Sequence, residues 1–129
     1  MKGLDTSILI RYLVQDDPLQ SARANKIVDK LTEQAPGFVS VVVIAEIAWV
    51  LRSRYQATPE EIADAVERIL SIGSLRVQNE QQVYEAVVAA RSGEGTLADA
   101  LICALGKGAG CRKTLTFDRR SQLADFEVV

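Results

Sequence analysis

The chain contains no histidine. That removes imidazole acid/base catalysis, Ser-His and Cys-His nucleophilic pairs and His-ligated metals. Cysteine is nearly as scarce. Cys103 and Cys111 stand eight positions apart without a CxxC pattern, so neither a zinc site nor a disulfide framework is indicated, and a reducing cytoplasm is expected. There is no excess of basic charge either: 15 Lys and Arg against 17 Asp and Glu leave a net charge of −2, without the electrostatic footprint of a dedicated nucleic-acid binder. Ten of the fifteen basic residues are Arg, however, which favours local bidentate phosphate contacts. No apolar run is long enough to span a bilayer, and Asp5 interrupts the stretch where a signal peptide would need an unbroken apolar core. No repeat, low-complexity tract or linker divides the chain, so residues 1–129 read as a single domain, able to bury roughly two thirds of the surface its unfolded form exposes. If the chain is an enzyme, carboxylates carry its chemistry.

What is present is an alternation of periodicities. Residues 1–4 read as a very short strand and residues 6–14 as a helix with Ile8, Leu9 and Leu13 at helical spacing. Asp16-Asp17-Pro18 stops one helix and starts another, read over residues 21–31; Pro36-Gly37 then breaks the chain. Phe38 and Val39 read as a buried strand, with Ser40 placed to cap a helix running to about Arg54. Thr58-Pro59-Glu60-Glu61 has the cap, first-turn proline and acid spacing of a capping box. Further on, residues 75–77 read as a strand, residues 83–90 and 97–105 as helices, the second ended by the glycines of GKGAG, and residues 115–117 as a strand. A turn at residues 119–123 leads to a last strand near Val128. Short strands alternating with helices predict an α/β fold, with a parallel sheet covered by helices on both faces.

Four acids fall at the junctions of these elements. Asp5 ends the first strand in KGLDTS, Asp118 ends a later one in LTFDRR, and Asp99 lies in the first turn of a helix in GTLADALICAL. Glu46 sits in FVSVVVIAEIAWVL, where Val42, Val43, Trp49 and Val50 surround it at spacings of three and four. A buried carboxylate there would cost several kcal/mol unless something stabilised it. Each acid also has a structural reading: Asp5 and Asp118 as helix or turn caps, Asp99 as part of a capping box with Thr96, and Glu46 as a solvent-face residue or a partner of Arg11 or Arg52. Ligands of open parallel α/β sheets bind outside the carboxyl ends of the strands. Four carboxylates converging there would repel one another unless a divalent cation neutralised them, and hard oxygen donors select Mg²⁺ or Mn²⁺.

The ordered set LDTSILIRYL, VVVIAEIAWVLRSRY, ADALI and LTFDRR resembles the PIN-domain ribonucleases, most closely the VapC toxins of bacterial and archaeal toxin-antitoxin pairs. DDPLQ followed by a helix bearing Ala22 and Ala24 is similar to what such toxins carry after their first helix. The resemblance spans Lys2 to Asp118. It implies a PIN-like three-layer α/β/α domain with a central parallel sheet of about five short strands. It also implies Mg²⁺- or Mn²⁺-dependent endoribonuclease activity, a homodimer, and inhibition by a cognate VapB-type antitoxin. Matched residue by residue, the metal-site carboxylates are Asp5, Glu46, Asp99 and Asp118, with the hydroxyls of Thr6 and Thr116 as outer contacts or phosphate contacts. One position departs from the pattern: similar chains often read DFADALI where this one reads TLADALI, so Thr96 replaces an acid. Thr96 still caps the helix, but the site loses a negative charge, which puts a second metal ion in doubt.

The expected chemistry is metal-assisted hydrolysis of RNA phosphodiester bonds, with Arg11, Arg119 and Arg120 as candidate backbone grips. Two rivals stand beside it. A carboxylate phosphatase would need a second acid in Asp5-Thr6-Ser7, which is absent. A PIN-like module that binds RNA or protein without cutting keeps the fold and the acids. Trp49 and Tyr55 read as core residues, with dimer or antitoxin contact as the alternative.

Overall fold

The computed structural model describes all of residues 1–129. Five strands of two or three residues occur: β1 (Lys2–Gly3), β2 (Gly37–Val39), β3 (Leu75–Val77), β4 (Thr114–Thr116) and β5 (Phe126–Val128). All pair in parallel, in two ladders, β1-β2-β3 and β4-β5. The five strands of the expected sheet are therefore present, with no ladder between the two groups; β1, at two residues, offers few backbone partners. Register is set by Gly37, which opposes both Lys2 and Leu75. A Cβ there would come within 2.9 to 3.1 Å of the Leu31, Leu4 and Leu75 side chains, so the middle strand passes where only glycine fits.

Six helices connect them: α1 (Thr6–Val14), α2 (Pro18–Lys30), α3 (Val41–Tyr55), α4 (Pro59–Leu70), α5 (Glu80–Arg91) and α6 (Leu97–Gly108). Most begin where a side chain satisfies a first-turn amide. Asp17 accepts from the Gln20 N–H at 3.0 Å, with Pro18 at the first position of α2. Ser40 accepts from the Val43 N–H at 3.2 Å, and Gln78 Oε1 takes the Val41 N–H at 3.0 Å. Thr58 and Glu61 form the complete capping box, and Thr96 accepts from the Asp99 N–H at 3.1 Å. Only α1 and α5 start without a side-chain cap.

Three helices depart from the sequence expectation for a physical reason, the first being α2, which starts at Pro18 directly after its Asp17 cap and not at residue 21. α5 begins at Glu80, before its first buried residue, Val83. α6 continues through Gly106 to Gly108. These glycines do not stop the helix; they let it approach its neighbours. A Cβ on Gly106 would lie 3.0 Å from Thr114 Oγ1 of β4, and one on Gly108 2.9 Å from Gln82 Nε2 of α5. The stop belongs to Gly110, whose φ of +102° suits glycine.

The core is one cluster of 24 residues, with Leu9, Ile44, Ile47, Val66, Ile69, Val83 and Val87 at or near zero exposure. Burying such side chains, at about 1.5–3 kcal/mol each, is what holds helices this short in place. On the surface, Arg91 of α5 donates to Glu60, Asp64 and Glu67 of α4. Because β1, β2 and β3 are parallel and are followed by α1, α3 and α5, the starts of these helices share one edge of the sheet.

Candidate active site

At that edge Asp5 occupies the N-cap position of α1 with extended backbone, yet its side chain accepts no amide of the helix. Its one hydrogen bond comes from the Ser7 hydroxyl, at 3.1 Å. The capping role open to Asp5 in the sequence is therefore not taken up. Thr6, beside it, is one of only two buried polar residues, and its hydroxyl donates to Glu46 Oε1 at 3.3 Å. That bond ties the first turn of α1 to the second turn of α3.

Glu46 itself is exposed, which corrects the expectation of a buried carboxylate. The apolar residues one turn away on the same stripe are exposed with it, Val42 at 64% and Trp49 at 66%, while Val43, Ile44, Ile47, Ala48 and Leu51 supply the buried face. Trp49 is thus not a core residue. Tyr55 is half-buried and donates to Asp16 Oδ2 at 2.9 Å. This bond, aided by Arg11, holds the Asp16 carboxyl below its usual range, while burial and then Asp16 push the Tyr55 phenol up. Neither arginine considered for Glu46 pairs with it. Arg11 is engaged by Asp16 at 3.0 Å and Gln20 at 2.7 Å, and Arg52 forms no ion pair.

A cleft of about 470 Å³ opens beside this stripe, between α3, the start of α4, the loop entering α6 and the turn after β4. Trp49, Arg52, Thr96, Asp99, Asp118 and Arg120 line it. Its loop is anchored by close packing: a Cβ on Gly95 would lie 2.8 Å from the side chain of the buried Leu123. Asp99 gives its backbone N–H to Thr96 but does not return the bond with its carboxylate, which makes no ion pair. Asp118 is the exception among the four acids. Its Oδ1 accepts the Arg120 N–H at 2.9 Å and lies 3.5 Å from Arg120 Nε, while its own N–H donates to Thr116 Oγ1 at 3.0 Å. Arg119 is exposed and forms no ion pair.

The structure therefore brings Asp99 and Asp118 to one cleft, and places Asp5 and Glu46 at the edge of β1 and β2, linked through Thr6. Glu46 stands one turn along α3 from the Trp49 wall of the cleft. No three Asp, Glu or Cys side chains are gathered closely enough to form a ready metal-ligand group. In kind the donors suit a hard divalent cation: all are carboxylate oxygens, and Asp5, Glu46 and Asp99 are free of any Lys or Arg partner. Trp49, Arg52 and Gly95 are cleft residues that sequence reasoning did not assign to the site. For Trp49 the available signal was its place three residues after Glu46, on the same helical face.

Parallel strands carrying uncommitted acids at their carboxyl edge define an α/β domain whose candidate site lies where such folds bind ligands. The chain belongs to the PIN domain family, whose sequence profile matches residues 3–127. PIN domains are a nuclease-type fold and typically metal-dependent, which places the chain at that level among the hydrolases. No curated protein sequence matches the chain. No helix is long and apolar enough to cross a membrane.

Proposed function

We propose that the chain is a Mg²⁺- or Mn²⁺-dependent endoribonuclease and the toxin of a VapC-type toxin-antitoxin pair, acting in the cytoplasm as a homodimer restrained by a VapB-type antitoxin. One observation carries the reading: at a helix start where an acid would cap, Asp5 caps no amide and accepts only the Ser7 hydroxyl, while its neighbour Thr6 donates to Glu46. Elsewhere in the chain, acids in comparable positions are used structurally, Asp17 and Glu61 as caps and Asp16 in an ion pair.

In this reading Asp5 and Asp99 offer the principal ligand oxygens, Glu46 and Asp118 add theirs directly or through water, Thr6 orients the Glu46 carboxylate, and Thr116 fixes the Asp118 backbone through its N–H. A cation held by these oxygens would supply Lewis-acid polarisation of a phosphoryl oxygen and a lowered pKa for an attacking water. A carboxylate left free of the cation takes the proton of that water. Arg52 and Arg119, which form no ion pair, and Arg120, whose only acid partner is Asp118 at 3.5 Å, are the available phosphate grips; Arg11 is held at 3.0 Å by Asp16. Attack by water leaves a 5′-phosphate and a 3′-hydroxyl. Incubation with RNA and Mn²⁺ followed by end mapping tests this; 2′,3′-cyclic phosphate ends would contradict it.

A non-cutting PIN-like module that binds RNA or protein is favoured by Thr96 standing where similar chains have an acid, and by the lack of a ready three-acid group. Growth arrest on expression separates the two. Arrest that persists in Asp5→Ala supports binding alone, and arrest that disappears supports catalysis.

A further inference from the structure

Trp49 is the chain's only tryptophan, and it stands 66% exposed. A side chain of this size ordinarily buries 150–250 Å² of surface. Here it lines the cleft that holds Asp99 and Asp118. It lies three residues along α3 from Glu46, on the same exposed stripe. Two guanidinium groups share the cleft. Arg52 has no acid partner, and Arg120 reaches only its neighbour Asp118, at 3.5 Å, with 93% of its side chain exposed.

Charge decides between the occupants of such a wall. A protein seated on Trp49 would have to desolvate two arginines and two aspartates together, at several kcal/mol unless each found a partner. A nucleotide brings a π face to the indole and phosphates to the arginines at once. We propose that Trp49 stacks an unpaired base of single-stranded RNA beside the phosphate held at the acids, with Arg52 and Arg120 taking the flanking phosphates. This rests on the nuclease reading above and adds to it the residue that grips a base, which a duplex would withhold because its bases keep their faces covered by stacking.

The single tryptophan makes its own reporter. The full chain, with its acids intact and in Ca²⁺ with phosphorothioate-linked RNA so that the strand is held without being cut, is titrated with a mixed-sequence single strand, the same sequence as a duplex, and an abasic oligomer of equal length. Binding is followed in parallel by anisotropy of end-labelled RNA. The expected result is quenching of Trp49 emission by the single strand, tracking the anisotropy curve, with little quenching by the duplex or the abasic oligomer. Trp49→Ala should weaken single-strand binding about 10-fold, as for loss of one stacked base, and Trp49→Phe should restore most of it. Single-strand binding with unchanged Trp49 emission and an unaffected Trp49→Ala variant would overturn the stacking role while leaving the nuclease reading intact. Emission that shifts with protein concentration alone, with RNA affinity indifferent to Trp49→Ala, would assign the face to a second copy and overturn it equally. Absence of both RNA binding and cleavage by the unsubstituted chain would remove the nuclease reading, and this inference with it.

Discussion

Asp5→Asn separates an acid kept for a ligand from an acid kept for the fold. In the structure the Asp5 carboxylate caps no amide and accepts only the Ser7 hydroxyl, whereas Asp17, at the equivalent position of α2, takes the Gln20 N–H. Replacing a working cap by alanine costs about 1 kcal/mol. With an unfolding entropy near 2.1 cal/mol/K per residue, that lowers the melting temperature of a 129-residue chain by roughly 4 °C. Asp17→Ala should show this drop in chelator. Asp5→Asn should not: an exposed substitution away from a cap stays within about 0.5 kcal/mol, or about 2 °C. Adding Mn²⁺ at about 100 times its dissociation constant stabilises a binding-competent fold by about 2.7 kcal/mol, or roughly 10 °C here. The unsubstituted chain and Asp17→Ala should both gain that increment, and Asp5→Asn should gain little. Differential scanning calorimetry with and without Mn²⁺ reads all the values. A loss on Asp5→Asn in chelator as large as that on Asp17→Ala, or an undiminished Mn²⁺ gain, would refute the reasoning.

Three further outcomes follow from particular contacts. Thr6→Val keeps the buried volume but removes the hydroxyl that steadies Glu46, so Mn²⁺ affinity measured by calorimetry should fall about 10- to 100-fold, and Thr6→Ser should restore it. Gly37→Ala pushes a methyl group against Leu4, Leu31 and Leu75 and should cost about 1–3 kcal/mol in urea unfolding, while Gly3→Ala, with open space around it, should change stability by less than about 0.5 kcal/mol. Tyr55→Phe removes the bond that holds the Asp16 carboxyl low. A group whose folded value is depressed contributes stability above its unfolded value and loses it as pH falls through the folded one, so the stability gap between Tyr55→Phe and the parent should be full at pH 7 and close as pH drops below the usual carboxylate range.

Much of the local architecture was legible because its causes are local. Asp17, Ser40, Thr58 with Glu61, and Thr96 cap their helices as their spacing predicts, since an N-cap needs only its own first turn. What depended on distant partners was not legible. Gly106 and Gly108 read as a helix stop, but Thr114 and Gln82, remote in sequence, decide that they permit close packing. α3 is apolar almost all the way round, so its pattern could not say which stripe faces solvent: Trp49 read as core, and Glu46 carried both a buried and a solvent-face reading, of which the second holds. The chain order of the four acids was readable, together with their positions at element ends. Their division into a Thr6-linked pair and a cleft pair is a property of tertiary packing.

The nuclease reading requires Asp5 and Glu46 at the strand edge to share one divalent cation with Asp99 of the cleft. Anomalous scattering from crystals grown in Mn²⁺ tests it most directly. A single strong peak bound by Asp5 and Asp99, with Glu46 turned toward it from Thr6, is expected. Carboxylates that point apart around no peak, each satisfied by its own backbone amide or an arginine, would contradict it.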